Sequence, residues 1–302
     1  MAQQRSSRNS GYGWFLIPGL LLFTILVFLP FVANIAISFT RWSGVGMPVW
    51  IGLENYSKAL TDATFWASFR NNLALIVVLV IIPTAIGLFL AAFLYDWVAQ
   101  RIGQKTASFF RAGFYLPQVI PVVVAAVVWR WIYQPDWGVL NWLLTSIGLE
   151  SLTRNWLGDP ATALPSVMAM MIWFQIGYPM VIFMAGLQRI DPELYEAAQL
   201  DGASWLQRFR FITIPQVMPE LYVVVLTTTV YALKVFGPIY AMTSGGPGTA
   251  TIVASYFSYK NFFERSAVGY GATVATVLTA LIMLITIFYI RAQAQQNAWE
   301  NQ

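Results

Sequence analysis

Six long apolar stretches constrain the fold of this chain more than any other feature of its sequence. Crossing the hydrocarbon core of a bilayer takes about 20 apolar residues in a helix. Polar loops that contain glycine and proline separate the stretches. They run roughly from Trp14 to Phe39, Asn72 to Tyr95, Phe110 to Tyr133, Ala163 to Leu187, Phe211 to Ala241 and Ala267 to Ile290. We predict an all-α integral membrane protein with six transmembrane helices, whose membrane domain covers residues 14–290 between tails at 1–13 and 291–302.

The composition is typical of a membrane protein and argues against most enzymatic functions. Of the 302 residues, 58% are hydrophobic and only 10% are charged, and the mean hydropathy is +0.62. Cysteine and histidine are both absent, so thiol nucleophiles, Cys/His metal sites and histidine acid–base relays are excluded. The scattered basic residues give a net charge of only +4, which argues against a nucleic-acid partner. We predict no catalytic residues, no metal site and no cofactor bound by this chain.

The distribution of lysine and arginine beside the apolar stretches gives an orientation. Cytoplasmic loops of membrane proteins carry an excess of these residues. With a cytoplasmic N-terminus, nine flanking basic residues lie inside and six lie outside, and the outer loops hold a denser set of tryptophans. The inner set is Arg5, Arg8, Arg101, Lys105, Arg111, Arg189, Arg208, Arg210 and Arg291. We therefore predict a multi-pass protein with both termini in the cytoplasm.

A polar segment between the fourth and fifth stretches, on the predicted cytoplasmic side, has the pattern of two short helices. Asp191 is suited to cap a helix, Pro192 fits its first position and Glu193 sits at the positive end of its dipole. Gly202 can adopt the left-handed conformation that ends such a helix. A second, basic helix is expected from Trp205. An ordinary interfacial amphipathic helix is the alternative interpretation of this segment.

The same segment resembles the "EAA" signature of binding-protein-dependent ABC importer permeases, in its carbohydrate-class form. The segments Ile51-Gly-Leu-Glu-Asn-Tyr56 and Met242-Thr-Ser-Gly-Gly-Pro-Gly-Thr-Ala-Thr251 also look like parts of the maltose and glycerol-phosphate class, and the second resembles the larger-partner subunit. The signature positions matched in order are Glu196, Ala197, Ala198, Asp201, Gly202, Ala203, Phe209, Pro215 and Pro219.

This resemblance implies a type I ABC importer permease fold in a prokaryotic inner membrane, with residues 191–210 as a coupling helix pair that docks on a separate ATPase. The implied partners are a second homologous permease, two cytoplasmic ABC ATPases that bind ATP and Mg²⁺, and an extracytoplasmic solute-binding protein. Gly245, Gly246 and Pro247 are one possible contact for the binding protein, although a simple tight turn explains them equally well. The expected ATPase-coupling residues are Glu193, Glu196, Ala197, Ala198, Asp201, Gly202, Ala203, Phe209 and Pro215.

The resemblance also implies a sugar as the transported substrate, with glycerol 3-phosphate or a related polyol as the alternative. Sugar sites combine aromatic rings with neutral hydrogen-bonding groups, and any single aromatic residue here is also explained by lipid contact or helix packing. A self-sufficient secondary carrier is disfavoured because Glu220 is the only carboxylate in the predicted spans. The expected substrate-path residues are Trp173, Gln175 and Tyr178 on the fourth helix and Tyr231, Lys234 and Tyr240 on the fifth.

Overall fold

The computed structural model describes residues 13–300, and these residues are chiefly helical. Residues 1–12 of the predicted N-terminal tail, which include Arg5 and Arg8, lie outside the described residues, as do residues 301–302 of the predicted C-terminal tail. A departure from the all-α prediction is a two-residue antiparallel ladder, in which β1 (Thr40–Arg41) pairs with β2 (Val49–Trp50).

The described residues form thirteen α-helical elements, some of which are interrupted by a π-helical turn. The first six are α1 (Trp14–Ser38), α2 (Glu54–Thr61), α3 (Ala63–Arg101), α4 (Gln104–Val119), α5 (Val122–Ile132) and α6 (Val139–Ser146). The others are α7 (Pro160–Leu187), α8 (Pro192–Leu200), α9 (Trp205–Gln216), α10 (Met218–Leu233), α11 (Gly237–Met242), α12 (Ala254–Tyr259) and α13 (Val268–Glu300).

Four of these helices are individually long and apolar enough to cross a membrane: α1, α3, α7 and α13 over Val268–Arg291. Two bent pairs, α4 with α5 and α9 with α10, satisfy the same test when each pair is taken together, which gives up to six spans. The predicted second span begins too late, because the Asp62 side chain caps α3 by accepting from Thr64 N at 2.7 Å. The helix thus starts nine residues before Asn72.

The predicted third span is wrong as a single straight helix. The chain bends by 95° between α4 and α5, where Ile120 is extended with φ −78° and ψ 136°. Pro121 causes this break, because the residue before a proline is driven out of the helical conformation and proline itself has no N–H to donate.

The predicted fifth span, Phe211 to Ala241, is also wrong as a single helix. It bends by 70° between α9 and α10, where Val217 leaves the helical conformation and Pro219 follows. Helix α10 then ends at Leu233, eight residues early, and the chain resumes helical structure only in α11.

The described residues form two compact units. The larger contains Asp62–Phe257 and the part of the chain from Val277, and its core lies where α3, α7 and α10 meet. Buried side chains from the three helices fill this core: Ala91, Leu94, Met180, Phe183, Leu187 and Val224.

The smaller unit contains the described residues up to Thr61 together with Ser258–Thr276. Asn55 is its central polar contact: Asn55 Nδ2 donates to Ser38 O at 2.9 Å and to Thr40 O at 2.8 Å. These carbonyls lie where α1 ends, so the buried amide satisfies backbone groups that the helix leaves free. The hydroxyl of Thr273 donates to Ser38 O as well, at 3.1 Å.

Candidate functional site

The polar segment between α7 and α10 folds as a capped helix followed by a sharp turn. Asp191 Oδ1 accepts a hydrogen bond from Glu193 N at 3.0 Å, and Pro192 occupies the first turn. Both features were predicted from the sequence. An aspartate cap and a glutamate in the first turn each stabilise the positive end of the helix dipole, so α8 is fixed where it begins.

Gly202 ends α8 in the way that its sequence position predicts. Its φ is +78°, and the following amide, Ala203 N, donates to Ala198 O at 2.9 Å while Gly202 N donates to Gln199 O at 3.0 Å. This pair of bonds is a Schellman motif. It requires a left-handed backbone conformation at position 202, which a residue with a Cβ adopts only under strain. Ser204 then caps α9 through a capping box with Gln207.

The acidic face of α8 is open to solvent. Glu193, Glu196 and Ala197 are exposed, and Leu200 is 90% exposed. Glu193, Ala197 and Leu200 follow one another at helical spacing, so carboxylate and apolar atoms share a surface.

On the opposite side of α8, one aromatic residue packs into the core of the larger unit, to which α8 belongs. Tyr195 is 9% exposed and belongs to the same buried cluster as Leu94, Leu187 and Val217, and its hydroxyl is 2.9 Å from Thr213 Oγ1. Burial raises the pKa of the Tyr195 phenol, so the group stays neutral. Tyr195 therefore joins α8 to α9, which contains Thr213.

The other residues expected to couple to an ATPase follow along α8 and α9. Phe209 is half-buried and stacks on Trp205 with ring centres 5.1 Å apart. The Arg208 guanidinium donates to Ala203 O at 2.9 Å and so fixes the turn. Asp201 and Pro215 are exposed, whereas Ala198 and Ala203 are half-buried.

A cavity of about 290 Å³ lies between the coupling segment and the end of α3. Glu196 and Arg208 line it together with Asp96, a carboxylate that the sequence analysis did not single out. Its position near the end of an apolar span was the only signal in the sequence that could have drawn attention to it.

The expected substrate-path residues of α7 lie in two different environments. Gln175 is buried, and the amide of Gln118 on α4 donates to Phe174 O at 2.8 Å and to Gln175 Oε1 at 3.5 Å. Trp173 is 38% exposed, and its ring centre is 5.5 Å from that of Trp129. It also lines an apolar cavity of about 370 Å³ with phenylalanines of α4.

The other four expected substrate-path residues are dispersed around α10. Tyr178 bonds Thr227 Oγ1 at 3.0 Å, and Tyr231 lies half-buried on α10. Lys234 is the residue that caps the end of α10, and Tyr240 lies on α11, stacked on Phe236. The prediction that both belong to the fifth helix is wrong, because that helix ends at Leu233.

The Gly245–Pro247 loop is a fixed structure. Thr251 Oγ1 donates to Gly246 O at 2.8 Å, and the loop borders a cavity of about 320 Å³ that Arg130 also lines. From α3, Asn71 Nδ2 contacts three carbonyl oxygens of residues 249–252, at 2.9 to 3.2 Å.

Asn72, the neighbour of Asn71, holds the break in the fifth span. Its Nδ2 donates to Ala232 O at 3.1 Å and Leu233 O at 3.3 Å, and its Oδ1 accepts from Ala254 N at 2.9 Å. One amide therefore serves the end of α10 and the start of α12. Neither asparagine was predicted to have a role, although two adjacent amides at the start of an apolar span are themselves a signal.

Comparison with known families gives the chain its identity. The model of the family "Binding-protein-dependent transport system inner membrane component" matches residues 101–297, a range that contains the coupling segment and the Gly245–Pro247 loop. The chain belongs to this family. It is a multi-pass membrane component of a transport system, and the family to which the sequence analysis assigned it is confirmed.

Relatives match this transport component over nearly its whole length. It is 38% identical over 278 residues to the probable ABC transporter permease YurN of Bacillus subtilis, covering 92% of this chain and 94% of that protein. It is 31% identical over 286 residues to the trehalose/maltose transport permease MalF of Thermococcus litoralis, covering 94% of each.

A solved bacterial alginate ABC transporter, in complex with a periplasmic protein carrying an alginate pentasaccharide, has the same fold. The match has a TM-score of 0.80 at 21% identity and covers 92% of this chain and 91% of that one. The expected type I ABC importer permease fold is confirmed by this likeness.

Proposed function

We propose that this chain is one of two permease subunits in an importer that moves a mono- or oligosaccharide by alternating access. An extracytoplasmic binding protein delivers the sugar, and two cytoplasmic ATPases that bind ATP and Mg²⁺ supply the energy. The family's description names a binding-protein-dependent system, and the relative from Thermococcus litoralis is named for trehalose and maltose. The second permease is expected to be a homologue of this chain.

The observation that carries the proposal is the construction of α8. Its outer face presents Glu193, Ala197 and Leu200 to solvent, while Tyr195 fastens its inner face to the membrane helices. A helix that is open on one side and anchored on the other can receive displacement from a partner and pass it on. This supports residues 191–210 as the coupling segment that contacts the ATPase.

The proposed orientation follows from that role. ATPases that consume cytoplasmic ATP require the coupling segment to face the cytoplasm of a prokaryotic inner membrane. With up to six spans, both termini then lie on the same side as this segment. The Gly245–Pro247 loop is separated from α8 by the α9–α10 pair and lies on the outer side in this arrangement, where it is available to the binding protein.

The proposed substrate path remains the set of residues on α7, α10 and α11. Gln175 and Tyr178 contribute neutral polar groups on α7, and Tyr231, Lys234 and Tyr240 follow on the α10 side, while Trp173 adds an aromatic surface. Their mixture of aromatic and hydrogen-bonding groups suits a sugar. Competition of uptake by maltose, trehalose, xylose and glycerol 3-phosphate would separate neutral sugars from anionic polyols.

Two coupling variants test the proposal directly. The chain is co-expressed with its partner permease and ATPase, each complex is extracted in mild detergent, and the co-purified ATPase is quantified. Glu196→Lys and Gly202→Asp are expected to reach the membrane but to retain little ATPase and transport no sugar, because one reverses a contact charge and the other strains a residue at φ +78°.

Glu150→Lys is the control for this experiment, since Glu150 is exposed in the loop between α6 and α7 and the change in charge is the same. It should co-purify with the ATPase as the unmodified chain does. Normal ATPase recovery together with full uptake in both coupling variants would contradict the proposed function.

A further inference from the structure

An ion pair closes the base of the coupling segment. Arg189 lies in the short connector between α7 and α8, and Glu220 lies in the first turn of α10. Arg189 Nη2 contacts Glu220 Oε1 directly. The two residues bracket positions 190–219, so the contact joins the point where the coupling segment leaves the membrane helices to the point where it returns.

The two charges differ sharply in exposure. The Arg189 side chain is 68% exposed, whereas that of Glu220 is 11% exposed. Glu220 Oε2 is buried and accepts no hydrogen bond from any residue in the described range 13–300. A carboxylate taken out of water depends on its partner, because a buried charge without a partner is strongly destabilising. Loss of the ion pair should therefore destabilise the buried Glu220 carboxylate more than the exposed Arg189 guanidinium, which water can solvate.

The neighbouring backbone is shaped to hold this carboxylate. A Cβ added to Gly186, in the last turn of α7, would lie 2.8 Å from Glu220 Cδ and 2.9 Å from Glu220 Oε2. These distances are shorter than van der Waals contact, so the carboxylate sits against α7 only because residue 186 has no side chain. Each charge also suits its helix, since Arg189 follows the negative end of α7 and Glu220 begins α10.

We propose that Arg189 and Glu220 form the latch that passes movement of the coupling segment to α7 and α10 together. This inference rests on the proposed function. The chain bends by 70° at Val217, three residues before Glu220, and a second connector runs through residues 188–191. Without the ion pair, these two bends can flex and absorb a displacement of α8. With it, the ends of α7 and α10 move as one body. Arg189 and Glu220 are positioning residues in this scheme.

The test measures coupling separately from assembly. Complexes of the chain with its partner permease and ATPases are placed in lipid nanodiscs with Mg²⁺ and ATP. The readout is the ratio of ATP hydrolysis with the cognate binding protein, as isolated with its sugar, to hydrolysis without it. In Glu220→Gln, we expect the ATPase to stay bound and this ratio to fall about fivefold or more, the scale of typical coupling between sites.

A set of variants distinguishes the latch from a merely structural role. Arg189→Lys keeps the charge and should retain most of the stimulation, whereas Arg189→Gln should lose it. Gly186→Ala should resemble Glu220→Gln, because the added methyl group displaces the carboxylate. Gly19→Ala is its control, since a Cβ on Gly19 of α1 meets nothing within 4 Å.

The double variant Arg189→Gln/Glu220→Gln keeps the test decisive if Arg189→Gln fails to fold, because it leaves no buried charge without a partner. It should assemble and hydrolyse ATP, but without stimulation. Normal stimulation in this double variant and in Glu220→Gln would overturn the latch. Failure of the unmodified chain to bind an ATPase would instead contradict the proposed function, so the two failures are distinguishable.

Discussion

The coupling segment and the Gly245–Pro247 loop are both short polar connections in the larger unit, yet they are built in opposite ways. The coupling segment exposes one side of α8: Glu193, Glu196 and Ala197 are open to solvent, and Leu200 is 90% exposed. In the Gly245–Pro247 loop, Gly245 is buried. Thr251, whose hydroxyl donates to Gly246 O, is also fully buried. Helix α8 is held by local caps at its two ends and by Tyr195 on its buried side, whereas the residues just after the loop are held by Asn71 of α3.

The contrast separates residues that are available to partners from residues that stabilise the fold. In the coupling segment, substitution of an exposed residue should change association with another protein and leave stability alone. In the loop, substitution of a buried group should change stability first. Four substitutions test this division, and the first of them should destabilise the protein most.

Tyr195→Ala should lower the free energy of unfolding by about 3–4 kcal/mol, because it removes a buried aromatic ring and leaves the Thr213 hydroxyl without its partner. Thermal unfolding of the purified complex, followed by tryptophan fluorescence, measures the effect. Leu194→Ala is the control on the same helix, since Leu194 is 44% exposed. Equal unfolding midpoints for the two variants would show that Tyr195 is no anchor.

Asn71→Ala should cost about 2–3 kcal/mol, because carbonyl oxygens of residues 249, 250 and 252 lose their common donor. The same unfolding measurement applies. Asn155→Ala is the matched control, as Asn155 is exposed and its side chain accepts one local bond, from Gly158 N, among the described hydrogen bonds. If the two asparagines cost the same, the loop is not held from α3.

Asp191→Ala should destabilise the first turn of α8 by about 1 kcal/mol, the usual value of a lost helix cap. Amide hydrogen exchange of peptides covering residues 192–200 measures this local change, and Asp191→Ser should restore protection because serine also caps. Unchanged exchange in Asp191→Ala would mean that Tyr195 alone determines the order of the helix.

Local signals in the sequence were sufficient for the coupling segment. Asp191, Pro192 and Gly202 act on backbone groups within a few residues, so their roles can be inferred from spacing alone, and the structure agrees. The apolar stretches likewise identify the helices, although not their ends, because Asp62 extends α3 and Pro121 breaks the third span.

Long-range contacts could not be inferred in this way. Asn72 reaches residues 160 to 182 positions away, and Arg189 meets Glu220 although α8 and α9 lie between them in the chain. Nothing in the spacing of these residues indicates the pairing, since it depends on how α3, α7 and α10 pack. The dispersal of the expected substrate-path residues has the same origin, because the break after Leu233 separates Tyr231 from Tyr240.

Leu200→Ser should separate partner binding from stability most clearly. Because Leu200 is 90% exposed, its replacement should change the free energy of unfolding by less than about 0.5 kcal/mol. If the ATPase covers this side chain, the lost apolar burial should weaken association about tenfold, measured by titrating purified ATPase onto the permease pair in nanodiscs. Leu152→Ser, at a 45% exposed position in the loop before α7, should leave that affinity unchanged. Equal affinities for both variants would place the ATPase contact away from the end of α8, while a large loss of stability in Leu200→Ser would contradict the division between the two connections.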